Sequence, residues 1–125
     1  MERVLGIGGF FFASRQPDVV ARWYEEHLGV IGIGDSYDGP VWVQEAGETV
    51  FTPFGPEHFD SPYLGPTGWG INFRVADLDA MVEQLRGAGI DVEVDPERYP
   101  NGRFAQVQDP DGNAVQLWQD MPAEE

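Results

Sequence analysis

The chain contains an internal repeat, because identical or similar residues recur at a spacing of 61 positions. The matched pairs are Gly9 and Gly70, Phe12 and Phe73, and Val20 and Met81. Each half predicts the same order of elements, namely a strand, a helix and about three further strands. One such unit is too small to bury its own sheet, so two of them are expected to pair. The repeat therefore predicts an α+β fold in which two paired βαβββ modules form a curved mixed sheet around a central cup, with the helices outside.

A Pro- and Gly-rich stretch in the middle of the chain separates the two halves. We predict a single domain over residues 1–125, made of a module at 1–54, a linker at 55–68, a second module at 69–119 and an acidic tail at 120–125. A linker of this length is either functional or a simple crossover between the modules.

Helix and strand patterns can be placed in both modules. For the first helix, Pro17 suits the first turn and Gly29 the end, and apolar residues between them recur at helical spacing. For the second helix, Asp77 is the expected cap, and Gly87 and Gly89 mark the expected end. The strands predicted outside the closing segment are Gly6–Ala13, Val30–Tyr37, the hairpin of Val41–Glu45 and Glu48–Thr52, Gly70–Val75 and Ile90–Val94.

The closing segment, Arg103–Gln119, predicts two alternating strands joined by a tight turn at Asp109–Asn113. Gly112 or Asn113 suits the left-handed position of the turn, and Asp109 and Asp111 are interpreted as turn formers. The expected cross-strand pairs are Gln108 with Ala114, Gln106 with Gln116, and Phe104 with Trp118. The face expected to enter the core carries Ala105, Val107, Val115 and Leu117. The opposite face places two amides between two aromatic rings, which suits the wall of a pocket.

Composition excludes several classes of function. The chain has 22 acidic residues against seven Arg and no Lys, which gives a formal net charge of −15. Phosphate backbones and anionic membranes would repel such a chain, so we expect neither nucleic acid nor a membrane as a partner. The absence of Lys excludes Schiff-base chemistry, and the absence of Cys excludes thiol catalysis. No apolar run approaches the roughly 20 residues that span a bilayer, and no signal-peptide pattern is seen, so a cytoplasmic location is expected.

Three stretches of the sequence carry a family resemblance. They are FFFASRQPDVVARWYEEHLGV, NFRVADLDAMVEQLRGAGIDV and GRFAQVQDPDGNAVQLWQ, which together cover most of the chain outside the linker. In these stretches the chain resembles the vicinal oxygen chelate superfamily, which includes glyoxalase I, extradiol dioxygenases, bleomycin resistance proteins and fosfomycin resistance enzymes. The resemblance implies the paired-module fold. This fold hosts enzymes and plain binding proteins alike, so whether the chain is an enzyme stays open.

The resemblance also implies where a metal ion would be held. In metal-dependent members, the ligands are usually His, Gln or Glu at cup-facing positions of the first and last strands of each module. Those positions fall here on Gly9, Gly70, Phe51 (with Thr52 as the neighbouring choice) and Gln116. Two glycines cannot donate side chains, and a single neutral amide cannot hold a divalent ion against water. We therefore predict no metal site and no cofactor.

The cup-facing residues predict a pocket lined by aromatic rings and amides. The predicted ligand-binding residues are Phe11, Trp42, Phe51, Asn72, Arg74, Phe104, Gln106, Gln116 and Trp118. Such a mixture suits a planar or partly apolar small molecule with hydrogen-bonding groups. Arg74 either pairs with a carboxylate of the ligand or forms an ion pair with Asp77, Asp79 or another of the many acidic residues.

The sequence thus predicts a glyoxalase/bleomycin-resistance-like protein that binds a small, partly aromatic or apolar ligand without the usual metal centre. An alternative is a divalent-metal-dependent lyase, isomerase or dioxygenase with displaced ligands. That enzyme would need His58, a carboxylate such as Glu45 or Glu48, or a partner chain to complete its metal shell. A second alternative is a non-catalytic dimeric interaction domain, because members of the resembled family often pair and a homodimer is expected here.

Overall fold

The structure, a computed structural model, describes residues 1–32 and 39–121. Its elements are the helix α1 at Pro17–Leu28, a short 3₁₀ helix at Pro56–His58, the strand β1 at Gly70–Arg74, the helix α2 at Leu78–Gly87, and the strands β2 at Glu93–Val94, β3 at Arg103–Gln108 and β4 at Ala114–Gln119. The predicted strand and turn at Val30–Tyr37 lies largely outside the described residues. No helix in the described ranges has the length and apolar character needed to cross a membrane.

Both helices begin and end where the sequence predicts, because the residues at their termini are those that start or cap a helix. Pro17 occupies the first turn of α1, and Gly29 ends it in a left-handed conformation with φ of 73°. Asp77 precedes α2, and its carboxylate accepts a hydrogen bond from the Ala80 amide at 3.1 Å. α2 ends at Gly87, as predicted.

β4 lies inside the four-stranded sheet, whose strand order is β1-β4-β3-β2. β1 runs parallel to β4, whereas β3 is antiparallel to both β4 and β2, so the sheet is mixed and open. The predicted register of the closing hairpin is confirmed, since Gln108 pairs with Ala114, Gln106 with Gln116 and Phe104 with Trp118. In the turn, the Asp109 amide donates to the Asn113 carbonyl at 3.1 Å, and Gly112 takes the left-handed conformation with φ of 81°.

The aliphatic face of the sheet forms the core, as predicted. Val115 and Leu117 are 0% exposed, and both pack in one cluster with residues of the two helices. The helical members of this cluster are Val20 and Tyr24 from α1 and Leu78, Val82 and Leu85 from α2. Burying one aliphatic side chain of this size stabilises a fold by about 1.5–3 kcal/mol. The helices are therefore held on this face, and the opposite face of the sheet is left for other contacts.

A buried carboxylate joins α1 to the hairpin turn. Asp109 is 5% exposed, and its Oδ2 accepts hydrogen bonds from the Tyr24 hydroxyl at 2.6 Å and the Asn113 side-chain amide at 2.8 Å. Its Oδ1 accepts from the backbone amides of Asp111 and Asn113 at 2.9 and 3.0 Å. Burial, followed by the hydrogen bond to Asp109, raises the pKa of the Tyr24 hydroxyl well above its ordinary value. Asp109 is thus more than a turn former, because it also fixes the position of α1.

The first half of the chain does not form the strands that the repeat predicts. Gly6–Ala13, Val41–Glu45 and Glu48–Thr52 carry no strand, and all four strands of the described residues belong to the second half. A strand requires ladder hydrogen bonds to a neighbour, and these segments make none with β1–β4. The pairing of two complete modules therefore stays a prediction.

Local features of the predicted pattern are still visible in both halves. Phe10 and Phe12 lie on the same side of their segment and pack on Trp69, with ring centroids 5.1 and 5.5 Å away. In the second half, the predicted strand Ile90–Val94 is shortened to β2. The side-chain alternation predicted for Gly6–Ala13 is therefore still seen at Phe10 and Phe12, although they pack on the ring of Trp69 and not on another strand.

Candidate ligand-binding face

The sheet face opposite the core carries three amides, two aromatic rings and one guanidinium. We call it the amide face, and its residues are Asn72, Arg74, Phe104, Gln106, Gln116 and Trp118. They form two rows, because Gln116 pairs with both Asn72 and Gln106, while Trp118 pairs with both Arg74 and Phe104. The three strands β1, β4 and β3 thus bring together six of the nine residues that the sequence predicts for a ligand site.

The row of amides is held in place by hydrogen bonds. Asn72 Nδ2 donates to Gln116 Oε1 at 2.7 Å, and Gln106 Nε2 donates to the Pro62 carbonyl. Each bond uses one group of an amide, so the nitrogen of Gln116 and the oxygens of Asn72 and Gln106 are available to a ligand. Asn72 is exposed and the two glutamines are half-buried. A molecule lying on this face can therefore exchange hydrogen bonds with all three side chains.

The aromatic row forms a flat apolar wall beside the amides. The rings of Phe104 and Trp118 are parallel within 5°, with centroids 6.4 Å apart. Trp118 Nε1 donates to the Asn101 carbonyl at 2.6 Å, and Tyr99 packs edge-on against Phe104 at 5.8 Å. Trp118 is 6% exposed, so its main contribution is to hold the ring of Phe104 in place. The half-buried Phe104 offers ring surface to a ligand.

Arg74 places a positive charge at the β1 edge of the amide face. The residue is exposed, and its Nη2 donates to the Glu45 carbonyl at 2.7 Å. The guanidinium also lies directly against Gly47, where a side chain would collide with it. These contacts orient the guanidinium through neutral backbone groups, and most of its donors make no hydrogen bond to the described residues.

Among the described residues, Arg74 forms no ion pair with Asp77, Asp79 or another acidic side chain. Asp77 caps α2, and Asp79 instead accepts a hydrogen bond from Arg103 at 2.9 Å. The hydrogen bond and charge of Arg103 lower the pKa of the Asp79 carboxyl. Over residues 1–32 and 39–121, the salt bridges are those of Arg103 with Asp79 and of His58 with Glu57. No described carboxylate therefore neutralises Arg74.

The linker crosses one end of the amide face. The Pro62 carbonyl accepts the hydrogen bond from Gln106, and the Tyr63 carbonyl lies so close to Gly70 that any side chain there would overlap with it. Gly65, with φ of 61°, lies beside the start of β4 at Ala114. Gly70 is therefore required by the packing of the linker backbone on the sheet.

The residues at the metal-ligand positions of the resembled family do not fit a metal ion. Gly9 and Gly70 have no side chain, and the space for one at Gly70 is filled by the linker. Gln116 Oε1 already accepts from Asn72, and Phe51 offers no donor atom. His58 packs on Phe54, with ring centroids 4.8 Å apart. Across the described ranges, no group of three or more His, Cys, Asp or Glu is placed to hold a metal ion.

Three predicted ligand residues lie away from the amide face, and all of them come from the first half. Phe11 and Phe51 are 92% and 88% exposed, so neither packs against the other residues of the predicted cup. Trp42 packs edge-on against Phe73, at a centroid distance of 6.0 Å, and Phe73 belongs to the core side of the sheet. Their part in ligand binding stays a prediction.

Backbone carbonyls are the components of this face that the sequence does not reveal. Pro62 and Asn101 each accept a hydrogen bond from a side chain of the face, yet carbonyl groups are common to all residues. The only signal is the Pro and Gly content of the linker, which indicates a loop without indicating where it lies.

A separate open groove of about 690 Å³ runs between α2 and β2, and its lining includes Val82, Arg86 and Val94 but no residue of the amide face.

Comparison with known proteins identifies the family. The sequence model of the Glyoxalase/Bleomycin resistance protein/Dioxygenase superfamily matches residues 6–117, which is most of the chain. The chain therefore belongs to this superfamily. No match is found among proteins with curated descriptions.

Two solved structures agree with this fold, and a third matches a shorter part of the chain. TnmS3, an antibiotic binding protein from Streptomyces sp. CB03234, is 26% identical over 86% of this chain and 88% of its own, with a TM-score of 0.52. A glyoxylase/bleomycin resistance protein/dioxygenase domain from Frankia sp. EAN1pec is 22% identical over 95% of this chain and 100% of its own, with a TM-score of 0.55. A glyoxalase/bleomycin resistance protein from Streptomyces sp. CB03234 is 40% identical over 40% of this chain, at a TM-score of 0.36, and the chain spans only 43% of that relative's length.

Proposed function

We propose that this protein binds a planar, partly apolar small molecule on the amide face and does so without a metal centre. The observation that carries the proposal is the pair of rows across β1, β4 and β3, in which three amides lie beside a flat aromatic wall. Amides supply directional hydrogen bonds, and aromatic rings supply stacking surface to a planar molecule. The likeness to TnmS3, which is described as an antibiotic binding protein, supports a binding role over a catalytic one.

Gln116 is the central amide of the proposed site, and its replacement provides the test. We expect anthracene-2-carboxamide or its carboxylate to bind in isothermal titration calorimetry and to raise the melting temperature, because a ligand of the native state stabilises it. Gln116→Ala is expected to weaken binding about tenfold, since one hydrogen bond to the ligand and the support of Asn72 are lost. Gln84→Ala is the matched control, because Gln84 is an exposed glutamine on α2.

The proposal would be wrong if neither probe stabilised the protein at millimolar concentration. It would also be wrong if Gln84→Ala and Gln116→Ala changed the affinity equally, because binding would then not depend on the amide face.

We also propose that two copies of the chain associate through the first half. Several of its large apolar side chains are strongly exposed, and they include Phe11 at 92%, Val43 at 81%, Val50 at 73% and Phe51 at 88%. Single copies of proteins seldom leave so many apolar groups of one region in water. We expect sedimentation analysis to give a dimer, which the double substitution Phe11→Glu and Phe51→Glu converts to a monomer.

A matched control for the association is Phe59→Glu, because Phe59 is 66% exposed but lies in the linker. This variant is expected to remain dimeric. A wild-type protein that sediments as a monomer at all concentrations would contradict the proposed association.

A further inference from the structure

In the described part of this strongly acidic protein, Arg74 has no acidic partner. The chain has a net charge of −15 and only seven basic side chains apart from His. One of them, Arg103, is paired with Asp79, whereas Arg74 contacts the neutral carbonyl of Glu45. Within the described residues no acidic group pairs with it. A guanidinium oriented in this way, with unused donors, suits a planar anion such as a carboxylate.

The position of Arg74 in the sheet makes the two edges of the amide face opposite in charge. Arg74 pairs with Trp118 across β1 and β4, so the guanidinium lies at the β1 end of the aromatic row. At the opposite edge, Glu93 of β2 pairs with Gln106 and therefore projects from the same face, where it is exposed. The strands β1 and β2 that carry the two residues are three strand spacings apart, or about 14 Å, and Glu93 lies in the row of amides beside the row of Arg74. The face thus has a positive edge, an amide and aromatic centre, and a negative edge.

We infer that the ligand of this protein is a planar molecule with an acidic group, bound so that its anion meets Arg74 while its ring lies over Phe104 and the amides. The inference rests on the proposed function and adds to it the chemical class and the orientation of the ligand. The anion lies at β1 and away from Glu93, because the opposite orientation would bring two negative charges together. Preference for an anion is diagnostic here, because the net charge of the protein as a whole repels anions.

The test compares two probes that differ only in charge, namely anthracene-2-carboxylate and anthracene-2-carboxamide. We expect calorimetry to show that the carboxylate binds about tenfold more tightly than the carboxamide, as a charge-assisted hydrogen bond predicts. Arg74→Gln is expected to abolish this preference by weakening binding of the carboxylate about tenfold. Adding salt is expected to reduce the preference of the wild-type protein.

Arg86→Gln is the matched control, because Arg86 is also an exposed arginine that donates to one backbone carbonyl, that of Val92 at 2.9 Å. Arg86 lies on α2, on the core side of the sheet, so its replacement is expected to leave the preference for the carboxylate intact.

The outcomes separate the two proposals. If both probes bind equally to the wild-type protein, the inference fails and the proposed function stands. If the carboxylate is preferred but Arg74→Gln keeps that preference, the assignment of the anion to Arg74 is overturned. If neither probe binds, the proposed function fails, and the inference fails with it. The comparison of probes on the wild-type protein remains decisive even if the Arg74 variant does not fold.

Discussion

Replacing Asp109 with Ala is expected to lower the free energy of unfolding by about 4 kcal/mol, which is a large effect for one side chain. The carboxylate is 5% exposed and accepts four hydrogen bonds, two at each oxygen. Its removal would leave the Tyr24 hydroxyl and the Asn113 side-chain amide buried without an acceptor. Urea titration followed by tryptophan fluorescence measures the change.

A neighbouring aspartate provides the control for this experiment. Asp111 is in the same turn, but its carboxylate is exposed and accepts from the Gln16 side chain at 2.9 Å. Asp111→Ala is therefore expected to cost less than about 1 kcal/mol. Tyr24→Phe should cost about 1–2 kcal/mol and should be non-additive with Asp109→Asn, because the two side chains share a bond. Equal destabilisation by Asp109→Ala and Asp111→Ala would show that Asp109 acts only as a turn former.

Replacing Gly70 with a residue that has a side chain is the second substitution expected to have a large effect. Gly70→Ala should lower the free energy of unfolding by about 2 kcal/mol, and Gly70→His by more, because the Tyr63 carbonyl occupies the space of the new Cβ atom. The obstacle is backbone rather than a flexible side chain, so the linker must move away from β1. Gly87→Ala is the control, since nothing lies within 4 Å of a Cβ atom there and the residue is helical. It should be neutral or slightly stabilising.

The Gly70→His variant also tests the metal-dependent alternative. The position corresponds to a metal-ligand position of the resembled family, but the linker backbone fills the place of the imidazole. We therefore expect neither the wild-type protein nor this variant to retain stoichiometric zinc, nickel, manganese or iron after dialysis, as measured by mass spectrometry. Tight uptake of one metal ion per chain by the wild-type protein would overturn the metal-free proposal and favour an enzyme with displaced ligands.

The parts of the fold that the sequence predicts are those set by local patterns. Asp77 and Gly29 mark helix ends because capping involves residues a few positions apart. The register of β3 against β4 follows from a short turn, and that register places Phe104, Gln106, Gln116 and Trp118 on one face. Most of the candidate site is therefore a consequence of one hairpin and of a parallel strand beside it.

The parts that the sequence does not predict depend on distant neighbours. Apolar alternation at Gly6–Ala13 favours a strand, yet a strand forms only where a second one supplies hydrogen bonds, and none does in the described chain. The bond from Tyr24 to Asp109 joins residues 85 positions apart, and neither residue carries a signal of the other. The sequence also does not predict that the Tyr63 carbonyl of the linker lies against Gly70, because tertiary packing decides its position rather than composition.

The order of the strands has a consequence for the folding of the nascent chain. β4 follows the other three strands in the chain, but it lies between β1 and β3 in the sheet. While the ribosome is still adding residues before Ala114, β1 has no partner and its hydrogen-bonding groups are open to water or to other chains. The sheet can close, and α1 can dock on Asp109, only after Gln119 has left the exit tunnel. Chains in which β4 is still incomplete are therefore the species most exposed to aggregation.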